Sequence, residues 1–206
     1  LDLPTLGYPT SATSASNLIG LYGKTTVSVG ASAVTSISGT SGQLQTLYAA
    51  ALTEITGLGD EALSVSDSGT LAATVLSGLN TKTSGLVTAS SVSTLSGTAA
   101  QIKVVTDALG TSGDAISVGT MTGSVTNATI NISDTGIASN IDSIADKTSG
   151  IVTATITADT ASALNAALSD AQVNAYNLTI NGSNAISTDI TSLDNKTSGS
   201  ITLSAT

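Results

Sequence analysis

The sequence predicts an α/β protein: a two-layer right-handed α/β solenoid with a parallel sheet, helices on one face and a Ser/Thr/Asn ladder on the other. Three observations lead there. One peptide returns three times, as Thr81-Lys82-Thr83-Ser84-Gly85, Asp146-Lys147-Thr148-Ser149-Gly150 and Asn195-Lys196-Thr197-Ser198-Gly199. Each copy follows a short helical pattern and leads into a short run of alternating apolar and polar residues. Strands that alternate with helices of about ten residues imply crossover connections, hence parallel pairing, and such crossovers are almost always right-handed.

Taken in order, residues 1–22 carry both prolines and two of the four tyrosines and read as an irregular lead-in, which leaves 23–206 as the repeat domain. Val27 and Val29 suggest a first strand. The stretch Gln43, Leu44, Leu47, Leu52 and Ile55 is the longest helical pattern, and Ala49-Ala50-Ala51 favours helix. Leu63 and Val65 form a strand, and Leu71, Val75 or Leu76, and Leu79 a helical stripe. Val87 and Ala89 return to strand spacing; Ile102, Val105 and Leu109 return to helix. Ile116 and Val118 are followed by a segment, 119–127, too short for a helical crossover, which reads as a loop. Ile130 and Ile132 resume the strands.

The last third is the most regular. Ile137, Ile141 and Ile144 match Ile186, Ile190 and Leu193 at i, i+4 and i+7, one face of a helix. Thr135 and either Ser183 or Asn184 are the expected N-caps, and Lys147 and Lys196 fall where a cation would meet the negative end of a helix dipole. Leu164 and Leu168 mark a helix without the signature. The offset of 49 residues from Lys147 to Lys196 is therefore two units, within the range of solenoid repeats. Strands at Val152, Ala154 and Ile156, at Leu178 and Ile180, and at Ile201 and Leu203 complete the pattern. The chain stops inside that last strand with no capping element, so further chain or another molecule is expected to complete the stack.

Apolar residues occupy only one face of these strands. The other face is polar: Thr129, Asn131, Thr153, Thr155, Thr157, Thr179, Asn181 and Thr202 form the expected surface ladder, with Ser64, Ser66, Thr88 and Ser117 before them. A parallel sheet covered by helices on both sides would be apolar on both. A one-sided sheet calls for helices on one side only, and each unit then depends on its neighbours for burial.

Composition narrows the function classes. Ser and Thr make up roughly a third of the chain, with 20 Gly and neither Phe nor Trp, yet mean hydropathy is positive, so aliphatic side chains must build a thin core. A formal charge of −9 repels phosphate backbones and anionic membrane surfaces, which excludes nucleic acid as a partner. No apolar run approaches the ~20 residues of a membrane helix. Without His, Cys or Arg the chain lacks the usual acid–base and nucleophilic groups, and it reads as no enzyme. A Ser-Lys nucleophile in the signature is set aside because an active site occurs once and a structural turn recurs.

No cofactor is expected. Calcium is the one metal to weigh, with Asp60, Glu61, Asp67, Asp114 and Asp134 as ligand candidates at strand ends and helix starts. Neither an EF-hand loop nor the calcium-binding nonapeptide accompanies them, and capping of turns and helices accounts for such aspartates. Five Asn-x-Ser/Thr sequons match what this composition produces by chance.

The units Thr-Ile-Asn-Ile, Asn-Ile-Asp-Ser-Ile-Ala-Asp-Lys-Thr-Ser-Gly-Ile-Val-Thr-Ala-Thr and Leu-Asp-Asn-Lys-Thr-Ser-Gly-Ser-Ile-Thr resemble repeat regions of very large secreted surface-layer or adhesin-like proteins of cyanobacteria and other aquatic bacteria, across about residues 60–206. The resemblance implies an extracellular or cell-surface location and a structural role, and brings no catalytic or ligand residue with it. The resulting expectation is a structural repeat protein that self-associates, head to tail, into a surface layer or fibre. The alternative is an adhesin stalk or binding module that presents its flat Ser/Thr-rich sheet to glycan, mineral or ice.

Overall fold

The computed structural model describes residues 12–50, 55–110, 112–113, 115–169, 172–182 and 186–204. Over these the chain is mixed α/β and its two main sheets are parallel throughout. It begins with β1 (Ala12–Ser14), α1 (Ala15–Tyr22), β2 (Val29–Gly30), β3 (Ser36–Gly39), α2 (Ser41–Ala50) and β4 (Ile55–Thr56). It continues through β5 (Ala62–Val65), β6 (Gly69–Ala72), α3 (Ala73–Asn80), β7 (Val87–Ala89), β8 (Val92–Gly97), α4 (Ala99–Asp107) and β9 (Ile116–Val118). After β10 (Met121–Thr122) and β11 (Val125–Thr126) come β12 (Thr129–Gly136), α5 (Ala138–Ala145), β13 (Val152–Ile156), α6 (Ala161–Ala167), β14 (Ala175–Asn181), α7 (Ser187–Asp194) and β15 (Ile201–Ser204).

Where one sheet was expected there are two. Strands β1, β3, β5, β7 and β9 form a five-stranded sheet in chain order; β6, β8, β12, β13, β14 and β15 form a six-stranded one, also in chain order. Every neighbouring pair within them is parallel and is joined through a helix, as crossover logic requires. Between residues 62 and 136 the chain visits both sheets in each unit, first one and then the other after a bend. The sequence hides this split because Ser66 to Ser68 and Ser90 to Ser91 resemble the strand surface they interrupt. A two-stranded parallel pair, β2 with β4, follows the first two helices.

Four local expectations change. Residues 12–22 are regular, since β1 pairs with β3 and α1 is capped by Ser14; the rest of the proposed lead-in lies outside the described residues. The 119–127 loop is an antiparallel hairpin, β10 with β11, turned at Gly123, whose φ of +61° suits glycine. The long helical pattern ends at Ala50, and Ile55 belongs to a strand; Leu52 lies outside the described residues. Val27 is 62% exposed, and only Val29 of that pair enters a sheet.

Burial follows period two in the strands. β13 alternates buried Val152, Ala154 and Ile156 with exposed Thr153 and Thr155, and the in-register rungs Ile37–Leu63–Val87–Ile116 and Leu71–Leu95–Ile130–Val152 are buried throughout. Helices supply the opposing layer of the same core cluster with Leu18, Leu44, Leu76, Ile102, Ile144 and Leu164. Ile137 and Ile186, expected at the top of helical stripes, sit instead at N-cap positions, 53% and 59% exposed. Thr135 does not cap α5, because β12 runs on through it; Ser183 and Asn184 lie outside the described residues.

Candidate functional site

The repeated peptide is a seam between successive units. Thr83, Thr148 and Thr197 are all buried, unusual for a hydroxyl side chain unless it is fully bonded. Their Oγ1 atoms donate to the carbonyls of Glu61 (2.5 Å), Ala128 (2.5 Å) and Tyr176 (2.7 Å) in the preceding unit, and accept the N–H of Gly85, Gly150 and Gly199. The serine N–H groups donate to Gly59, Thr126 and Asn174 carbonyls at 2.7–2.8 Å. Glycine is required by contact: a Cβ on Gly85 or Gly150 would fall 2.5 Å from the carbonyl oxygen of Glu61 or Ala128, and one on Gly199 would strike that of Tyr176.

Lysine plays a different part from the one its spacing suggests. Lys147 and Lys196 lie beyond the C-caps Asp146 and Asn195, outside the last turns of α5 and α7. The Lys196 ammonium donates to the Asn165 and Leu168 carbonyls at the C-terminal end of α6, so the dipole it complements belongs to the preceding helix. With Ser198 Oγ on the Asn174 carbonyl (3.2 Å), hydroxyl and amine are both spent on main-chain acceptors of the previous unit. The unit without the signature is joined by amides: Asn174 Oδ1 accepts from Val152 N–H (2.8 Å), and Gln172 Nε2 donates to the Gly150 carbonyl (2.6 Å). No repeated motif pointed to Gln172 or Asn174; the one signal is a lone Asn where the other units have Thr.

The acidic candidates are spread along the molecule. Asp67 accepts the N–H of Ser41 (2.6 Å) and its hydroxyl (2.9 Å), which caps α2 from the following unit. Asp134 does the same for α4 through Ala99 N–H (2.7 Å). Glu61, fully buried, accepts from Gly59 N–H, Asp60 N–H and the Tyr48 hydroxyl. Asp60 is exposed, and Asp114 lies outside the described residues. Among the described residues no three acidic groups converge as a metal site would need. Asp142, not anticipated, holds Ser169 after α6 by two bonds of 2.6 and 2.9 Å.

The polar ladder falls into several columns. Asn131 stands in register between Ser96 and Thr153, but the next rung is Ala175. Thr155 pairs with Asn177 and, across a register irregularity in β12, with Thr135. Thr179 pairs with Thr202, and Asn181 with Ser204. Thr129 and Thr94 hydroxyls bond each other at 2.8 Å, and Thr157 Oγ1 is turned back onto the Gly136 carbonyl. The least interrupted column is on the five-stranded sheet: Ser14, Ser38, Ser64, Thr88 and Ser117 follow one another rung by rung. Ser14 and Ser38 were not singled out by sequence, since the first units are too short for alternation to stand out. Every exposed residue named in these rungs is Ser, Thr or Asn, while exposed Asp134 within β12 adds a carboxylate to the same sheet as Asn131 and Thr153.

Two shallow grooves open near the helix C-termini. One, between α3 and α4, is lined by Thr74, Gly78, Thr81, Val104 and Ala108 and carries no titratable side chain; the other includes Tyr48, Thr81 and Lys82. No helix among the described residues is long and apolar enough to cross a membrane. Comparison with protein families, curated proteins and solved structures finds no match.

Proposed function

We propose that the chain is an extracellular structural repeat protein, a right-handed two-layer α/β solenoid that lengthens by end-to-end stacking into a surface layer or fibre. What carries this reading is the exposure of Leu203: it is 61% exposed on β15, while Ile180, its in-register partner on β14, is 1% exposed. The position is one that a further unit would bury. Thr and Gly contacts that recur in the three signature units, each to the unit before it, give related surfaces along the chain, and a head-to-tail contact that does not close generates a filament. The resemblance to surface-layer and adhesin-like repeats points the same way.

Electron microscopy and sedimentation over a wide concentration range test this. Growing rods, shortened by Leu203→Asp, are expected; strictly monomeric particles at every concentration would overturn end-to-end assembly.

The second reading, a binding module, is favoured by one observation, the unbroken Ser/Thr column from Ser14 to Ser117 on the five-stranded sheet. If that surface meets glycan, mineral or ice, Ser64→Lys abolishes binding without changing the melting temperature. Silence of the unaltered protein across glycan arrays, mineral adsorption and ice-affinity assays would sink this alternative.

A further inference from the structure

Among the eleven asparagines of the chain, Asn181 alone precedes glycine. It closes β14, paired with Ser204 on β15, and β15 is an edge strand with β14 as its neighbour in the six-stranded sheet. Its side chain is exposed, and its carboxamide makes no hydrogen bond within the described residues. Several other asparagine amides are held: Asn127 Oδ1 accepts from Thr120 N–H, Asn174 Oδ1 from Val152 N–H, and Asn177 Oδ1 from Ser200. Gly182 has φ +97°, and no atom lies within 4 Å of where a Cβ would stand. The main-chain nitrogen after Asn181 is thus reached without side-chain obstruction, on a residue free to rotate.

We propose that Asn181 is a site of spontaneous deamidation, with isoaspartate as a product. The Gly182 nitrogen gives up its proton and attacks Cγ of Asn181; a new C–N bond forms, the Cγ–Nδ2 bond breaks, and ammonia leaves with that proton. Water then opens the five-membered imide at either carbonyl and yields aspartate or isoaspartate. Both place a new negative charge at the end of β14, beside Asp159, whose carbonyl accepts the Asn181 N–H. Isoaspartate also adds a methylene to the main chain at the last rung of β14, which displaces the Ser204 pairing and loosens β15.

The experiment is to hold the native protein at mildly alkaline pH, label isoaspartate with an isoaspartyl methyltransferase and map the peptides by mass spectrometry. A free peptide spanning Leu178 to Ile186 serves as reference. Conversion at Asn181 is expected to lead every other asparagine and to run no more than about tenfold slower than in the peptide, because opening the last rung beside an edge strand costs little. Asn181→Ser removes the signal, and hydrogen exchange in the aged protein quickens over 201–204. Conversion more than about tenfold slower than in the peptide, or led by another asparagine, overturns the proposal. Neither outcome bears on whether units stack end to end, which sedimentation of fresh protein reads separately.

Discussion

At the residue scale, the positions that join the units fail in different ways. Thr148→Val keeps the shape but leaves the Ala128 carbonyl and the Gly150 N–H without their buried partner, at a cost of about 1–3 kcal/mol. Urea denaturation reads this as a lower midpoint at constant slope. Gly150→Ala forces a methyl against the Ala128 carbonyl, so the two strands must part and the loss exceeds that of Thr148→Val. Exposed Ser149, which joins mainly through its main chain, is the control: Ser149→Ala stays within about 0.5 kcal/mol. Asp134→Ala uncaps α4 from across the unit boundary and costs about 0.5–2 kcal/mol. The sequence made the repetition of Thr-Ser-Gly plain. It could not reveal that the threonine bonds backward to another unit, because that partner stands 20–22 residues away with no motif of its own.

At the element scale, helices and strands differ in what holds them. α5 and α7 begin at isoleucines whose side chains cap nothing, whereas α4 begins with a reciprocal pair, Thr98 and Gln101, each bonding the other's main chain. The short helices therefore rest on packing and on caps lent by neighbours. Lys196→Met withdraws an ammonium from the C-terminal carbonyls of α6 and is expected to cost about 0.3–1 kcal/mol, lessened by salt, with hydrogen exchange quickened in 161–168 while the distant α2 is unaffected. Ile130→Ala, in the middle of a fully buried rung, costs about 2–5 kcal/mol. Strand alternation was legible because period two survives even in four residues. Helix ends were less so: Ile137 and Ile186 satisfy a helical stripe on paper, yet one residue of offset moves them outside the helix and into solvent.

At the scale of the whole molecule, a core of Leu, Ile, Val and Ala replaces the thick aromatic interior of an ordinary domain, and Tyr176 is its largest fully buried side chain. Parallel α/β character was written in the alternation of helix and strand. The division into two sheets was not, because bends of two or three residues rich in serine have the same composition as the strand surface on either side. The hairpin within 119–127 marks the end of the five-stranded sheet at β9, and the six-stranded sheet carries the chain onward from there. Its Thr126 repeats the seam chemistry on the Val118 carbonyl without the Ser-Gly that elsewhere announces it.

Register between β12 and β13 advances by 22 residues at Ile130 and Asn131 and by 20 at Thr135 and Gly136, and between β13 and β14 by 22. Each unit grips chiefly its two neighbours, so tension applied along the stack loads one junction at a time. Such a molecule should yield under an optical trap as a train of small tears, each paying out about 75 Å of extended backbone. A chain joined this way lengthens gradually under load, and shortens again by rewinding onto the units that still hold.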